Sequence, residues 1–339
     1  MVRISFLIAI LVGSALGQDK PRRIGSIDFY GYAGLNVDQI KSALPIQVGD
    51  PFPGGAETKK GINKAVTSTI GRSPTDVVSV CCDAQGNVMI YIGLPGSSIK
   101  HTKLNPVPKA NIHFPPEIVE LYERTMDASG AALLRGNAQE DTSQGFALSI
   151  SDPELRAKQL EVRAYAIEHE KLIRDVLNSS SDAHQRVVAA FMLEYTRTSN
   201  QQISSLVRAS HDADETVRNN ATRALGVLAS SSPKVAARIP AGGFITMLSS
   251  GSWTDRNKAG FVISSLTRSR EPKLLRQLRS DALISLIEMA HWRDPAHSSN
   301  ARIVLGRIAG IPEERLVQLV STDKVDEIIK ELRLNEREN

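Results

Sequence analysis

The chain lacks most of the patterns by which enzymes and metalloproteins are identified from sequence. Its 339 residues contain two cysteines, and two such ligands are too few for a zinc site. There is no Gly-x-Ser-x-Gly elbow, and neither Gly31-x-x-Gly34 nor Gly93-x-x-Gly96 has the third glycine and the helix start that a phosphate loop needs. We therefore assign no catalytic, cofactor-binding or metal-binding residues, and the sequence alone identifies no binding residue.

The two cysteines, Cys81 and Cys82, are neighbours in a strand-like run. Adjacent strand residues point to opposite faces, so we expect one to be buried and the other half exposed. A disulfide between neighbours needs a strained geometry, although an exported protein can form disulfides. A vicinal or intermolecular disulfide is the alternative.

Strong charge and long apolar runs are also missing. A formal net charge of +4 is too small to indicate a nucleic-acid partner. The apolar run from Ile4 to Val12 follows one basic residue, is too short to span a bilayer, and precedes small residues at Ala15 and Gly17. Residues 1–17 therefore resemble a secretory signal cleaved before Gln18, which predicts a periplasmic or secreted protein. An uncleaved membrane anchor is the alternative.

One helical segment recurs along the chain. Residues 214–228 carry apolar side chains at Val217, Ala221, Leu225 and Leu228, a spacing that fits a helix, and Asp214 can cap its first turn. Parts of the same segment recur around Ala189, Ala259 and Ala301. Repeats of this size in helical sequence indicate stacked helix pairs, with the small residue where helices approach.

The recurring acid, arginine and alanine resemble HEAT-type repeats, over roughly Asp152 to Ile311. The resemblance implies a ladder of hydrogen bonds between successive repeats, made here by the charged residues Asp182, Asp214, Arg186, Arg218 and Arg256. We interpret these charges as structural. Second helices of the pairs are predicted from three apolar groups, namely Ile203, Leu206 and Val207; Leu274, Leu275 and Leu278; and Leu283, Leu286, Ile287 and Ala290.

The N-terminal part of the chain has a different pattern of apolar residues. Alternating apolar residues predict a strand over Ile24–Phe29, and helical spacing predicts helices over 37–44 and 56–70. Two more strands are predicted over 77–82 and 88–92, joined by a turn. The predicted order is strand, helix, helix, strand, strand.

This order resembles the polypeptide-transport-associated (POTRA) domain. The matching residues are Ile24, Ile27, Phe29 and Gly31 in the opening strand and turn, then Leu44 and the run Gly49-Asp50-Pro51-Phe52. The resemblance implies a βααββ fold that binds client chains, often by adding a strand to a sheet edge. Family members precede a barrel or a membrane anchor, and the alternating strands of a barrel are missing here, so the resemblance leaves a role in membrane assembly in doubt.

The remaining segments complete the predicted organisation. The chain is predicted to be an α+β multidomain protein with a signal peptide (1–17), a POTRA-like domain (18–96), a Pro-rich linker plus helix (97–151), HEAT-type repeats (152–320), and a capping helix with a frayed tail (321–339). A long helix is expected from Pro153, with Asp152 as cap and with Leu160, Ala164 and Ile167 facing inward.

The candidates for metal chemistry are weak. Glu168-His169-Glu170 has no second histidine four residues away, and the acids of residues 211–215 lie where a helix N-terminus favours them. His291 and His297 could hold a metal only if their turn folded back, and an inter-helix loop is the alternative. Trp253 and Trp292 lie near repeat boundaries, and we expect them in the core.

These patterns predict an exported, non-catalytic scaffold that binds protein partners through the helical surface and by strand addition to the sheet. The alternative is an enzyme with HEAT-like repeats, or a lyase-type accessory protein acting on an envelope protein. We expect no cofactor, no nucleic-acid partner and no transmembrane span in the mature chain. A peripheral contact with a membrane-assembly system stays open.

Overall fold

A computed structural model describes residues 22–334. The predicted signal peptide lies outside the described residues. The strands are β1 (Ile24–Tyr30), β2 (Asp76–Cys81), β3 (Val88–Gly93), β4 (Glu140–Asp141) and β5 (Leu148–Ser149). The helices are α1 (Val37–Ala43), α2 (Gly55–Ile70), α3 (Pro116–Leu134), α4 (Pro153–Glu168), α5 (Glu170–Ser179), α6 (Ala183–Leu193), α7 (Asn200–Ala209), α8 (Glu215–Ser231), α9 (Pro233–Ala236), α10 (Gly242–Met247), α11 (Trp253–Leu266), α12 (Pro272–Ala290), α13 (Pro295–Ile308), α14 (Glu313–Ser321) and α15 (Val325–Leu334). Among residues 22–334, no helix is long and apolar enough to cross a membrane.

The described residues form two compact units. The helical unit contains Thr102–Phe244 and Lys258–Glu271, and the sheet unit contains residues 22–101, Ile245–Asn257 and 272–334. The sheet unit thus combines the N-terminal strands with C-terminal helices, a grouping that local sequence patterns do not indicate. The domain boundaries drawn from the sequence stay a prediction.

The N-terminal sheet has the predicted element order, with each element within one residue of its expected bounds. Its strand order is β1-β3-β2, with β1 parallel and β2 antiparallel to β3. One face packs on α1 and α2, where Ile40, Ile62 and Val66 are fully buried against Ile90 and Ile92 of β3. The mixed α and β architecture is therefore confirmed.

The helical unit is built from packed helix pairs. Helices α5, α6 and α8 pack in succession, and α7 lies against α8. Ala189, Ala221 and Ala259 of this unit are fully buried, as is Ala301 of the sheet unit. A Cβ added at Gly226 would lie 2.3 Å from the Phe261 ring, which shows how closely α8 and α11 approach. The predicted helical-repeat fold is confirmed.

Several sequence predictions fail on local detail. The expected long helix is divided at His169 into α4 and α5, and Leu160 is 47% exposed instead of facing inward. The buried face of α4 carries Leu155, Gln159, Val162 and Ala166, so a polar side chain occupies the core position that we assigned to leucine. The two apolar groups at 274–278 and 283–290 belong to one helix, α12.

The predicted acid-arginine ladder is also corrected. The resemblance implied bonds between successive repeats made by Asp182 and Asp214, but the side chains of these two acids accept hydrogen bonds from the first backbone amides of α6 and α8. The acid that pairs with Arg186 is Asp212, at 2.8 and 2.9 Å. The recurring acids therefore act as helix caps, and the ion-pair partner of Arg186 comes from the loop before α8.

The fully buried Ala221 provides a test of the repeat packing. Ala221→Leu inserts three carbon atoms between packed helices, and we expect it to lower the free energy of unfolding by about 1–3 kcal/mol. The same change at Ala56, exposed at the start of α2, is the control. Urea denaturation of both variants measures the difference, and equal stability of the two would contradict this helix packing.

Candidate functional site

A buried carboxylate joins the sheet to the helices of the sheet unit. Glu288 of α12 accepts hydrogen bonds from the consecutive backbone amides of Gly31, Tyr32 and Ala33, at 2.7, 3.0 and 3.2 Å, and from Ser98 Oγ at 2.7 Å. Gly31 has φ +70°, a conformation that glycine adopts readily and that helps successive amides point to one acceptor. The turn after β1 is therefore built around this side chain.

Arg256 of α11 balances the charge of Glu288. Its Nη1 donates to Glu288 Oε2 at 2.9 Å, its Nε donates to the carbonyl of Ser250 at 2.7 Å, and its guanidinium carbon lies 4.9 Å from the centre of the Tyr30 ring. Burial lowers the pKa of Arg256, and the neighbouring Glu288 opposes that shift. The pair is a buried ion pair whose carboxylate is fully hydrogen bonded.

An aromatic cluster fills the space between this face of the sheet and the helices. Tyr91 of β3 stacks on Trp253 with ring centres 4.9 Å apart and meets Trp292 edge-on at 5.3 Å. The ring centre of His297 lies 5.1 Å from that of Trp253. Trp292 Nε1 donates a hydrogen bond to the carbonyl of Phe29 at 3.3 Å. Both tryptophans are buried, as expected, although they pack on the sheet and not only between helices.

Asp28 of β1 is a second buried carboxyl on this face. It accepts hydrogen bonds from the backbone amide of Arg293 and from Ser26 Oγ, each at 3.2 Å. The pKa of Asp28 is raised to about 6, mainly by burial and to a smaller extent by the nearby Asp294, against the lowering effect of the bonds from Arg293 and Ser26 and of the Arg293 charge. Asp28 therefore titrates in the mildly acidic range.

The two outer edges of the sheet differ in what covers them. At the β1 edge, the amide of Gly49 donates to the carbonyl of Ile24 and the Trp292 indole donates to that of Phe29. At the β2 edge, the Asp76 carboxylate accepts from the Trp253 amide at 3.0 Å, which covers the start of the strand. Within residues 22–334 no strand pairs with the outer side of β2. The stretch 77–81 of β2 is the candidate binding edge.

The cysteines lie at the end of this edge. Cys81 is buried and closes β2, and Cys82 follows it half-buried, as predicted. Their sulfur atoms are bonded to each other, which is the alternative that the sequence left open.

The helical unit holds a buried charged cluster of its own. Arg223 of α8 lies between the carboxylates of Glu194 and Glu140, 2.5 Å from each. Burial raises the pKa of Glu140, and burial together with Arg223 lowers the pKa of Lys258 to about 8. The amide of Ala147 donates to Glu194 at 3.0 Å, so the cluster ties the β4–β5 segment to α8. Sequence reasoning missed this cluster because Arg223 lies 29 and 83 residues from its two carboxylates along the chain.

The histidines do not converge. His297 is buried against Trp253 and Tyr91, His291 is exposed, and His169 stacks on Tyr165. No group of three His, Cys, Asp or Glu side chains that could hold a metal ion occurs among the described residues.

Comparisons with known proteins show only a low similarity between this chain and solved structures. No protein-family model matches the chain, and no curated protein matches it. A designed armadillo repeat protein in complex with peptide (KR)4 is similar over 55% of this chain and 92% of its own, at 15% identity and a TM-score of 0.37. An engineered protein is similar over 65% of this chain and 94% of its own, at 14% identity and a TM-score of 0.38.

The buried pair of Glu288 and Arg256 predicts that a single substitution at Glu288 lowers the stability of the protein strongly. Glu288→Gln removes the charge, leaves Arg256 buried without its counter-ion, and should lower the free energy of unfolding by about 3–5 kcal/mol. Glu327→Gln breaks an exposed pair with Lys324 and should cost at most about 1 kcal/mol. Urea denaturation followed by tryptophan fluorescence compares them, and equal losses would contradict a central role for Glu288.

Asp28 predicts a pH dependence of stability. Its pKa is higher in the folded state than its usual 3.8, so the folded protein holds the proton more tightly and loses stability as pH rises from about 4 to about 6. Asp28→Asn should remove this loss and be more stable than the parent at pH 7, by on the order of 2–3 kcal/mol.

The measurement is urea denaturation between about pH 4 and pH 7. Asp38→Asn, at an exposed position of α1, is the matched control and should keep the parent's pH dependence. An Asp28→Asn variant with the parent's slope would show that another group carries the titration.

Proposed function

We propose that the protein is an exported, non-catalytic interaction scaffold that captures an extended segment of a partner protein at the β2 edge. The observation that carries the proposal is the contrast between the two edges of the sheet. On the outer side of β1, strand carbonyls accept hydrogen bonds from the Gly49 amide and the Trp292 indole. On the outer side of β2, no strand among the described residues pairs with residues 77–81. An added strand would pair with backbone groups there.

The two family resemblances support this proposal. The βααββ order of residues 24–93 matches the arrangement that POTRA-like domains use for strand addition, and the buried alanines and capped helices suit HEAT-type repeats. The helical unit offers a second, broad surface for partners. Export rests on the signal-like residues 1–17.

Two neighbouring proline variants test the strand addition. Adjacent residues of a strand donate to opposite sides, so one of Val78→Pro and Ser79→Pro removes an outward donor and the other removes a donor to β3. The variant that loses the outward donor should keep its sheet and lose partner capture. The other should disrupt the sheet.

Binding is measured by pull-down of the mature protein from an envelope extract with quantitative mass spectrometry. Circular dichroism and tryptophan fluorescence report the fold. Ser79→Thr, which keeps the amide and favours a strand, is the matched control. If the folded proline variant captures the same partners as the parent, the β2 edge is not the binding surface.

A further inference from the structure

A cleft opens between the last helix and α12 in the sheet unit. Its volume is about 380 Å³, and it is lined by Ile287, His291, Asp326, Ile329, Lys330, Arg333 and Leu334. Helix α15 packs mainly on α13 and α14. A hydrogen bond from Arg279 Nη2 to the carbonyl of Leu332, at 2.9 Å, joins α12 to the last turn of α15.

Apolar side chains form one component of the cleft. Ile287 and Ile329 line it from opposite helices. Leu334 is 45% exposed at its end, and Ile284, one turn from Ile287 on α12, is 57% exposed. Ile287 is half-buried and Ile329 is 7% exposed, so the exposed apolar area comes from Leu334 and, beside the cleft, Ile284. Exposed branched side chains of this kind are typical of a surface that covers an apolar partner face.

The charges of the cleft are mainly basic. Lys330 and Arg333 are exposed, and neither makes an ion pair with another residue of the described chain. Their neighbours differ, because Lys324 pairs with Glu327 and Arg315 pairs with Glu331. His291 also lines the cleft, with its Nδ1 2.8 Å from the carbonyl of Ile287, and Asp326 is the acid of the lining.

We propose that this cleft binds an acidic amphipathic helical segment of a partner protein. Apolar side chains of the segment would cover Ile284, Ile287 and Leu334, and its carboxylates would meet Lys330 and Arg333. The choice of an acidic partner follows from charge complementarity with these two unpaired basic side chains. The chain's own last five residues, 335–339, contain no apolar side chain and do not fit this description.

The test is fluorescence anisotropy with a short labelled peptide in which leucines repeat at helical spacing among glutamates. A second peptide replaces each glutamate with lysine. We expect the acidic peptide to bind the parent, to bind less tightly as salt concentration rises, and to bind at least about tenfold more tightly than the basic one.

Two double variants of equal charge change locate the binding. Lys330→Glu with Arg333→Glu should weaken the acidic peptide at least about tenfold. Lys59→Glu with Lys60→Glu, at exposed positions of α2, should leave it unchanged. Ile284→Ser removes an exposed apolar contact without a charge change, and it should weaken binding also. All four substituted lysines and arginines are exposed, so the fold is retained.

Three results would overturn the proposal. The first is equal binding of the acidic and basic peptides, and the second is equal loss in the two double variants. The third is concentration-dependent self-association of the parent that the Lys330→Glu, Arg333→Glu variant abolishes, which would make a second copy the occupant. The proposal is independent of strand addition, because Val78 and Ser79 lie outside the cleft.

Discussion

The sheet unit depends on the hydrogen bonding of one buried carboxylate. An ionised glutamate in a protein interior costs several kcal/mol unless its oxygens are satisfied, and Glu288 is satisfied by three backbone amides, a hydroxyl and Arg256. Because the amides belong to the turn after β1, the position of that strand is fixed relative to α12. The Trp292 indole then donates to the β1 edge, which leaves β2 as the edge whose residues 77–81 have no strand on their outer side among the described residues.

A related arrangement of arginines recurs along the helices. Arg186, Arg218 and Arg256 each donate to the carbonyl six residues earlier, at 3.0, 3.0 and 2.7 Å, and so hold the loop that precedes their helix. Arg186 also pairs with Asp212, and Arg256 pairs with Glu288. The guanidinium suits this role because its fork of donors can satisfy loop carbonyls and a carboxylate together.

The sequence predicts what depends on local periodicity. Strand alternation and helix spacing place the βααββ elements within a residue of their observed bounds, and the recurring alanine marks positions that are fully buried. Contacts between distant segments are not visible in such patterns. Nothing in the sequence distinguishes Glu288 from the other charged residues of its helix. The apolar pattern places Leu160 in the core, but Gln159 occupies that position and accepts a hydrogen bond from the Ser149 amide at 2.7 Å. The sequence could name the candidate edge, but the hydrogen bond from Trp292 to the β1 edge joins segments too far apart in the chain to be predicted from it.

The covering of both sheet faces limits how this domain can recognise a partner. Side chains of β3 alternate between the α1–α2 core, through Ile90 and Ile92, and the aromatic cluster, through Tyr91, so neither face is free to read a ligand. Under the proposed function, recognition at the sheet would use the backbone of β2, and backbone pairing depends little on the sequence of the added strand. The proposed site in the cleft beside α15 has the opposite character, since it would select a partner by charge and side-chain shape. A partner that carried both an extended segment and an acidic amphipathic helix would gain affinity from the second site without any new contact at the first.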